Sequence, residues 1–196
     1  MARPLVAIDL GGVVVDVRPL AVDGIAAAQV EHAFFGHQDG GLTEHAQVSL
    51  GLLPAELWLE RVAKRLQRSP AELENAWRQR ISIDEGAADL LRVLADADTV
   101  VWSNTDPIHF QQVATWLPAA MTNDATRSLS CEIGQLKPAP DFFEKALARL
   151  HRRPTMFLDD RPENVNAARA AGIEAALVKG ATQALHQVRR LFADAL

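Results

Sequence analysis

Short runs of apolar residues rich in β-branched side chains recur at Leu5–Ile8 and at residues 99–102, 155–158 and 175–178, each bounded by polar positions. Runs of this length and composition predict strands. All but the first two are separated by helical spacing. Phe142, Phe143, Ala146, Leu147 and Leu150 mark one stripe, residues 162–171 carry another, and Ala87, Leu90, Leu91 and Leu94 form a third ahead of the second strand. Strands alternating with such helices predict an α/β fold with a parallel sheet and crossover helices. Ligands of such sheets bind at the carboxyl ends of the strands, and each run here gives way to polar residues at that end.

Residues 17–82, between the first two strands, are too many for a simple crossover and contain no strand-like run. Leu59, Val62, Ala63 and Leu66 form one helical face. Ser69-Pro70-Ala71-Glu72 places a capping Ser, a Pro at the first helical position and a Glu three residues on. The glycine-containing stretches 36–41 and 51–54 read as turns. The pattern predicts several inserted helices, dividing the chain into a core of residues 1–16 and 83–196 and an insertion of residues 17–82.

The chain has 196 residues, 48% apolar and 23% charged, which suits one compact domain carrying an inserted module. A formal charge of −5 without a Lys/Arg-rich run removes the electrostatic footprint of nucleic-acid binding. An anionic ligand must therefore be held by local groups. The one cysteine, Cys131, cannot form an intrachain disulfide, and no Cys/His cluster has zinc spacing. The apolar start meets Asp9 too soon for a secretion signal, and nowhere do 18 apolar residues run together. A cytoplasmic protein without a membrane partner is expected.

The first strand runs into Asp9-Leu10-Gly11-Gly12-Val13, a carboxylate followed by glycines that let backbone N–H groups approach a ligand closely. Such a group suits attack on phosphate, although a strand-ending Asp in an ordinary turn accounts for the same residues equally well. The second strand ends in Trp102-Ser103-Asn104-Thr105-Asp106-Pro107. Thr105 or Asp106 is expected to cap the following helix, leaving Ser103 and Asn104 nearer the strand tip, where an oxyanion can bind. Gly134-Gln135-Leu136-Lys137-Pro138 puts one lysine before a further helix, a position that by itself suits a solvated side chain. Phe157-Leu158-Asp159-Asp160-Arg161-Pro162-Glu163-Asn164 sets two adjacent carboxylates at the end of an apolar strand. Their repulsion would be relieved by a hard divalent cation such as Mg²⁺, or avoided if one carboxylate caps the helix and the other is solvated.

In their order and spacing, Asp9, Ser103, Lys137 and Asp159-Asp160 resemble the four-motif layout of the haloacid dehalogenase (HAD) superfamily, in which phosphatases predominate. Closer still, Asp9-Leu10-Gly11-Gly12-Val13, Ser103-Asn104-Thr105, Lys137-Pro138 and Phe157-Leu158-Asp159-Asp160 with Asn164 are similar to the branch containing bacterial α-D-glucose-1-phosphate phosphatases and the N-terminal phosphatase domain of soluble epoxide hydrolases. The resemblance covers nearly the whole chain. It implies a Rossmann-like core whose insertion, residues 17–82, is a helical cap that selects substrate. It implies Asp9 as nucleophile, Mg²⁺ held by Asp9, the Gly11 carbonyl and Asp160, and Asp159 orienting that metal site. Ser103, the Asn104 backbone N–H and the Leu10-Gly11-Gly12 turn would bind phosphoryl oxygens, Lys137 would neutralise charge, and Asn164 would support the acidic loop. The implied partner is a small phosphorylated metabolite, with the chain a monomer or homodimer.

The sequence departs from that pattern at Gly11, where most HAD phosphatases carry a second Asp that protonates the leaving group. The related sugar phosphatases also have Gly here, so two readings stay open: a phosphatase, or a weak or inactive domain keeping a phosphate or metal site. In the cap, Val48-Ser49-Leu50 stands where many relatives carry a Glu shortly before the equivalent of Gly51. His37, Asp39, Glu44 and His45 are the candidate polar cap groups, each better suited to a solvated turn or helix residue than to a substrate contact, and His109, after the second motif, suits simple helix surface. Dehalogenation is not expected, because the early cap has no matching arginine and Arg18 lies too close to Asp9. The two cap connections, at residues 16–18 and 82–84, are expected to be hinges.

Overall fold

A computed structural model describes residues 3–39 and 41–193, apart from the side chain of Asp39. In chain order the elements begin with β1 (Leu5–Ile8) and β2 (Val15–Val17). The insertion follows: α1 (Ala27–Phe35), β3 (Gln38–Asp39), β4 (Leu42–Thr43), α2 (Glu44–Ser49), α3 (Ala55–Leu66) and α4 (Pro70–Gln79). The chain returns through β5 (Ile81–Ile83) to α5 (Ala87–Leu94), β6 (Asp98–Ser103), α6 (Pro107–Ala114), α7 (Ala119–Thr122) and β7 (Arg127–Leu129). It closes with α8 (Ser130–Ile133), α9 (Pro140–Ala148), β8 (Met156–Asp159), α10 (Pro162–Ala170), β9 (Ala175–Leu177) and α11 (Gly180–Ala193).

Five strands form one parallel sheet in the order β7-β6-β1-β8-β9. Every residue of β1 is buried, as a central strand covered on both faces requires. Successive side chains alternate between the faces. Val6, Ile8, Val101 and Leu158 pack with Leu90 and Leu94 of α5 and Ala184 and Val188 of α11. Leu5, Ala7, Trp102 and Phe157 pack with Phe142, Phe143 and Ala146 of α9 and Val165 and Ala168 of α10.

Four of the five sheet strands lie where the apolar runs predict them. The fifth, β7, reads Arg127-Ser128-Leu129 and has neither the length nor the pattern to stand out. The expectation that residues 17–82 hold no strand is overturned. Val15, Asp16 and Val17 of β2 pair antiparallel with Ile83, Ser82 and Ile81 of β5, and β3 pairs with β4 in a small hairpin. The two chain crossings into the insertion are therefore hydrogen-bonded to each other as one ribbon. Pairing over three residues satisfies backbone groups without needing an alternating sequence.

The insertion has its own apolar core, in which Phe34, Val48, Trp58, Val62, Leu73 and Trp77 are buried. Ser69 caps α4 as predicted, accepting from the Glu72 amide at 3.2 Å. Ile108 of α6 joins this second core, so the cap is seated on the sheet domain through apolar contact. Gly51 adopts φ +71° and lies so close to Cys131 of α8 that an added Cβ would stand 2.3 Å from its carbonyl oxygen. Only glycine permits that approach of cap backbone to core backbone.

Candidate active site

Asp9, Asn104, Asp160 and Asn164 gather at the carboxyl ends of β1, β6 and β8, lining a cleft of about 420 Å³ with Asp16 and Val17 of the ribbon. Asp9 lies on its floor with 9% of its side chain exposed, and its Oδ2 stands 3.1 Å from Lys137 Nζ. Lys137 is fully buried, bonding Asp159 Oδ2 at 2.7 Å and the Trp102 carbonyl at 2.7 Å. The Asn104 amide holds the Lys137 backbone from both sides, donating to its carbonyl and accepting from its N–H at 2.8 Å each. This clamp brings a residue from outside the sheet strands into line with β1.

The adjacent carboxylates have separate environments. Asp159 is wholly buried, and both of its oxygens are engaged, by Lys137, by the Asn164 amide at 3.0 and 3.1 Å, and by the Arg161 N–H at 2.9 Å. Asp160 is half-buried, with its carboxylate over Gly12, where a Cβ would stand 2.3 Å from Oδ2. Burial, and then the charge of Asp159, raise the Asp160 pKa. Burial likewise pushes the Asp9 carboxyl up to about 6; Lys137 opposes the shift and Asp159 adds to it. Asp9 stays mainly ionised at neutral pH.

The turn after β1 differs from the expected nest of free amides. Leu10 N–H donates to Asp9 Oδ1 at 2.7 Å and Gly12 N–H to the Val15 carbonyl at 2.7 Å. Gly12, at φ +69°, is needed for the turn and for the space Asp160 occupies rather than as a phosphate donor. The Gly11 N–H has no internal acceptor among the described residues. The Ser103 hydroxyl, beside Asp9, lowers the carboxyl pKa slightly against the effect of burial.

Two expectations for the surroundings fail. His109 is not helix surface: its ring stacks on Trp77 at 4.5 Å, its Nδ1 meets Asp106 Oδ2 at 2.9 Å, and its Nε2 lies 2.8 Å from the Trp77 carbonyl. Glu44 is held by Arg61 at 2.9 Å and Arg65 at 2.7 Å, which keep its carboxyl below the usual range. His45 sits among Phe35, Trp58 and Trp77, and burial pulls its pKa down to about 4. His37 is placed against His32, with ring centroids 5.0 Å apart, and Asp39 falls outside the described side chains.

Asp106 caps α6 through Oδ1, accepting from Ile108 N–H at 2.9 Å and His109 N–H at 3.0 Å, while Oδ2 accepts from Trp77 Nε1 at 3.1 Å. It is thus also a buried link between cap and core. Ser130, which no motif marks, grips the Thr105 backbone, accepting from its N–H at 3.0 Å and donating to its carbonyl at 3.1 Å.

Asp9, Asp159 and Asp160 each offer a carboxylate oxygen within 4.8 Å of the others, against one lysine. The haloacid dehalogenase-like hydrolase family model matches residues 4–172. The chain belongs to that family. This HAD-like hydrolase resembles a HAD family enzyme from Bacteroides thetaiotaomicron solved with magnesium and inorganic phosphate, at 22% identity and TM-score 0.70 over 91% of this chain and 95% of the other. It also resembles a predicted HAD-like family hydrolase from Porphyromonas gingivalis, at 20% identity and TM-score 0.72 over 98% of each chain. A third likeness is to the L-2-haloacid dehalogenase of Xanthobacter autotrophicus, at 19% identity and TM-score 0.59 over 91% of this chain and 78% of the other. At these identities the likeness is one of fold. No curated protein sequence matches the chain. No described helix of the hydrolase is long and apolar enough to cross a membrane.

Proposed function

We propose that this HAD-like hydrolase is a Mg²⁺-dependent phosphatase of small phosphomonoesters, sugar 1-phosphates among them, on the branch with the glucose-1-phosphate phosphatases. The observation that carries the reading is the ionisable Asp9 at the cleft floor, 3.1 Å from a lysine that Asp159 holds in place. A hard cation suits the remaining acidic excess, and Asn164 Oδ1, buried at the cleft without a partner among the described residues, is an acceptor that a hydrated cation would satisfy. Asp9, Asp160 and the Gly11 carbonyl would hold it. When bound, Mg²⁺ supplies positive charge against the phosphoryl oxygens.

Asp9 attacks phosphorus, the bond to the leaving oxygen breaks, and an aspartyl phosphate forms. Water then attacks the phosphorus of that acyl phosphate, the bond to the Asp9 oxygen breaks, and inorganic phosphate leaves with the Asp9 carboxylate restored. Lys137 neutralises charge between Asp9 and the phosphoryl group, while Ser103 and the Asn104 backbone N–H orient phosphoryl oxygens. Among the described cap groups, Glu44 is ion-paired and His45 is neutral near pH 7, so neither is set up to donate a proton to the leaving group.

Turnover of p-nitrophenyl phosphate with Mg²⁺ and with EDTA tests the reading. Activity should require the metal, and Asp9→Asn should abolish it with circular dichroism unchanged. A variant retaining half the rate would remove Asp9 as nucleophile.

A further inference from the structure

Arg80, immediately before β5, is half-buried, with its guanidinium carbon 5.1 Å from the Trp77 ring centroid and 5.2 Å from that of Phe35. Its Nε donates to the Arg18 carbonyl at 3.1 Å, and its own carbonyl accepts the Arg18 N–H at 2.7 Å. Two aromatic contacts and a backbone bond hold the cation in one place, yet no carboxylate among the described residues lies within ion-pair distance of it. Glu31 and Asp106 are the acidic groups that act on it from further away. Asp106 already accepts from Trp77, His109 and two backbone amides. Burial opposes the charge of Arg80, and no internal ion pair offsets that cost.

Two links tie this cluster to residues that flank the cleft wall in sequence. Trp77 bonds Asp106, two residues beyond Asn104 of the cleft wall. Arg80 bonds Arg18, the residue after Val17 of the same wall. His45, 5.0 Å from Phe35 and 5.3 Å from Trp77 between ring centroids, adds a ring whose nitrogens bond no described residue. A fixed guanidinium with free N–H groups recognises carboxylate or phosphate oxygens.

We propose that Arg80 is a specificity residue of the cap, binding an anionic substituent, a carboxylate or a second phosphate, on the leaving group of the substrate. This rests on the phosphomonoester reading, with Asp9 taking one phosphoryl group and Arg80 sorting what it is attached to.

The test measures affinity by calorimetry on the full chain carrying Asp9→Asn, with Mg²⁺, so that no ligand is consumed. The probes are glucose 1-phosphate, glucose 1,6-bisphosphate and glucuronic acid 1-phosphate. At least one of the two doubly anionic probes should bind at least ~10-fold tighter than glucose 1-phosphate, and the arm that does so names the anion. Adding Arg80→Gln should bring that ratio close to one. Arg80→Met keeps the stem against Trp77 and should do the same, which preserves the test if the glutamine variant does not fold. Equal affinities for all three probes, or a ratio that survives the loss of Arg80, would overturn the proposal. Aryl-phosphate turnover by the unmodified chain judges the phosphatase reading separately.

Discussion

The two neighbouring aspartates, alike in sequence, are separated by their hydrogen bonds. Asp159 serves Lys137, Asn164 and a backbone amide, whereas Asp160 faces the cleft over Gly12. Asp160→Asn should therefore weaken Mg²⁺ binding more than Asp159→Asn, which should instead lower turnover by freeing Lys137; a metal titration beside steady-state rates separates the two. Equal metal losses would contradict that division. The glycines of the first turn differ just as sharply. A Cβ at Gly12 collides with Asp160, but at Gly11 it meets only Val17 Cγ2 at 3.7 Å, an ordinary contact. Gly11→Asp should thus be accommodated. In the unmodified enzyme, rates should fall steeply with leaving-group pKa, favouring aryl phosphates over sugar 1-phosphates and those over 6-phosphates, and Gly11→Asp should flatten the dependence. Insensitivity to leaving-group pKa in the unmodified chain would mean that a proton donor is present.

Among the elements, α2 carries a histidine whose titration is shifted by burial. His45 has its pKa drawn down to about 4 by burial from an ordinary value of 6.5, so it is neutral in the fold and more easily charged in the unfolded chain. Its contribution is complete above pH 6.5 and is lost as pH falls towards 4. His45→Phe should remove that dependence. Between pH 7 and 5 the unmodified protein should lose roughly 3–6 °C more of its melting temperature than the variant does. Parallel losses in calorimetric scans would show that His45 does not titrate in that range. The ribbon of β2 and β5 supplies a second element-scale feature, since both cap connections must move together if the cap moves. The expected hinges at residues 16–18 and 82–84 lie within this paired segment.

At the scale of the molecule, the apolar core of the insertion is held to the sheet domain by Ile108, by the Trp77–Asp106 bond and by the Gly51–Cys131 approach. The candidate cleft lies where the cap connections meet the strand ends, so filling it should stabilise the whole. A cation at 100 times its Kd adds ~2.7 kcal/mol, worth roughly 5–10 °C for a chain of this size. Differential scanning calorimetry with Mg²⁺ should show that rise, EDTA should remove it, and Asp160→Asn should blunt it. An unchanged melting temperature at saturating Mg²⁺ would exclude a cation bound at this cleft with the expected linkage.

Whatever depends on near neighbours was readable from the chain: the four longer strands, the helices announced by apolar spacing, the Ser69 cap and a cap at Thr105 or Asp106, and the positions of Asp9, Ser103, Lys137 and Asp159-Asp160 at strand or loop ends. Periodicity and capping are local, so sequence carries them. The ribbon and β7 were not readable, because three-residue strands owe their existence to partners far along the chain. Nor does residue type say which aspartate grips Lys137, that the Gly12 amide is already bonded, or that His109 lies inside between Asp106 and Trp77. Those are matters of burial and of hydrogen-bond partners brought together only by folding. Tertiary structure likewise decided which charges are paired, and so left Arg80 against the Phe35 and Trp77 rings with no carboxylate among the described residues at ion-pair distance.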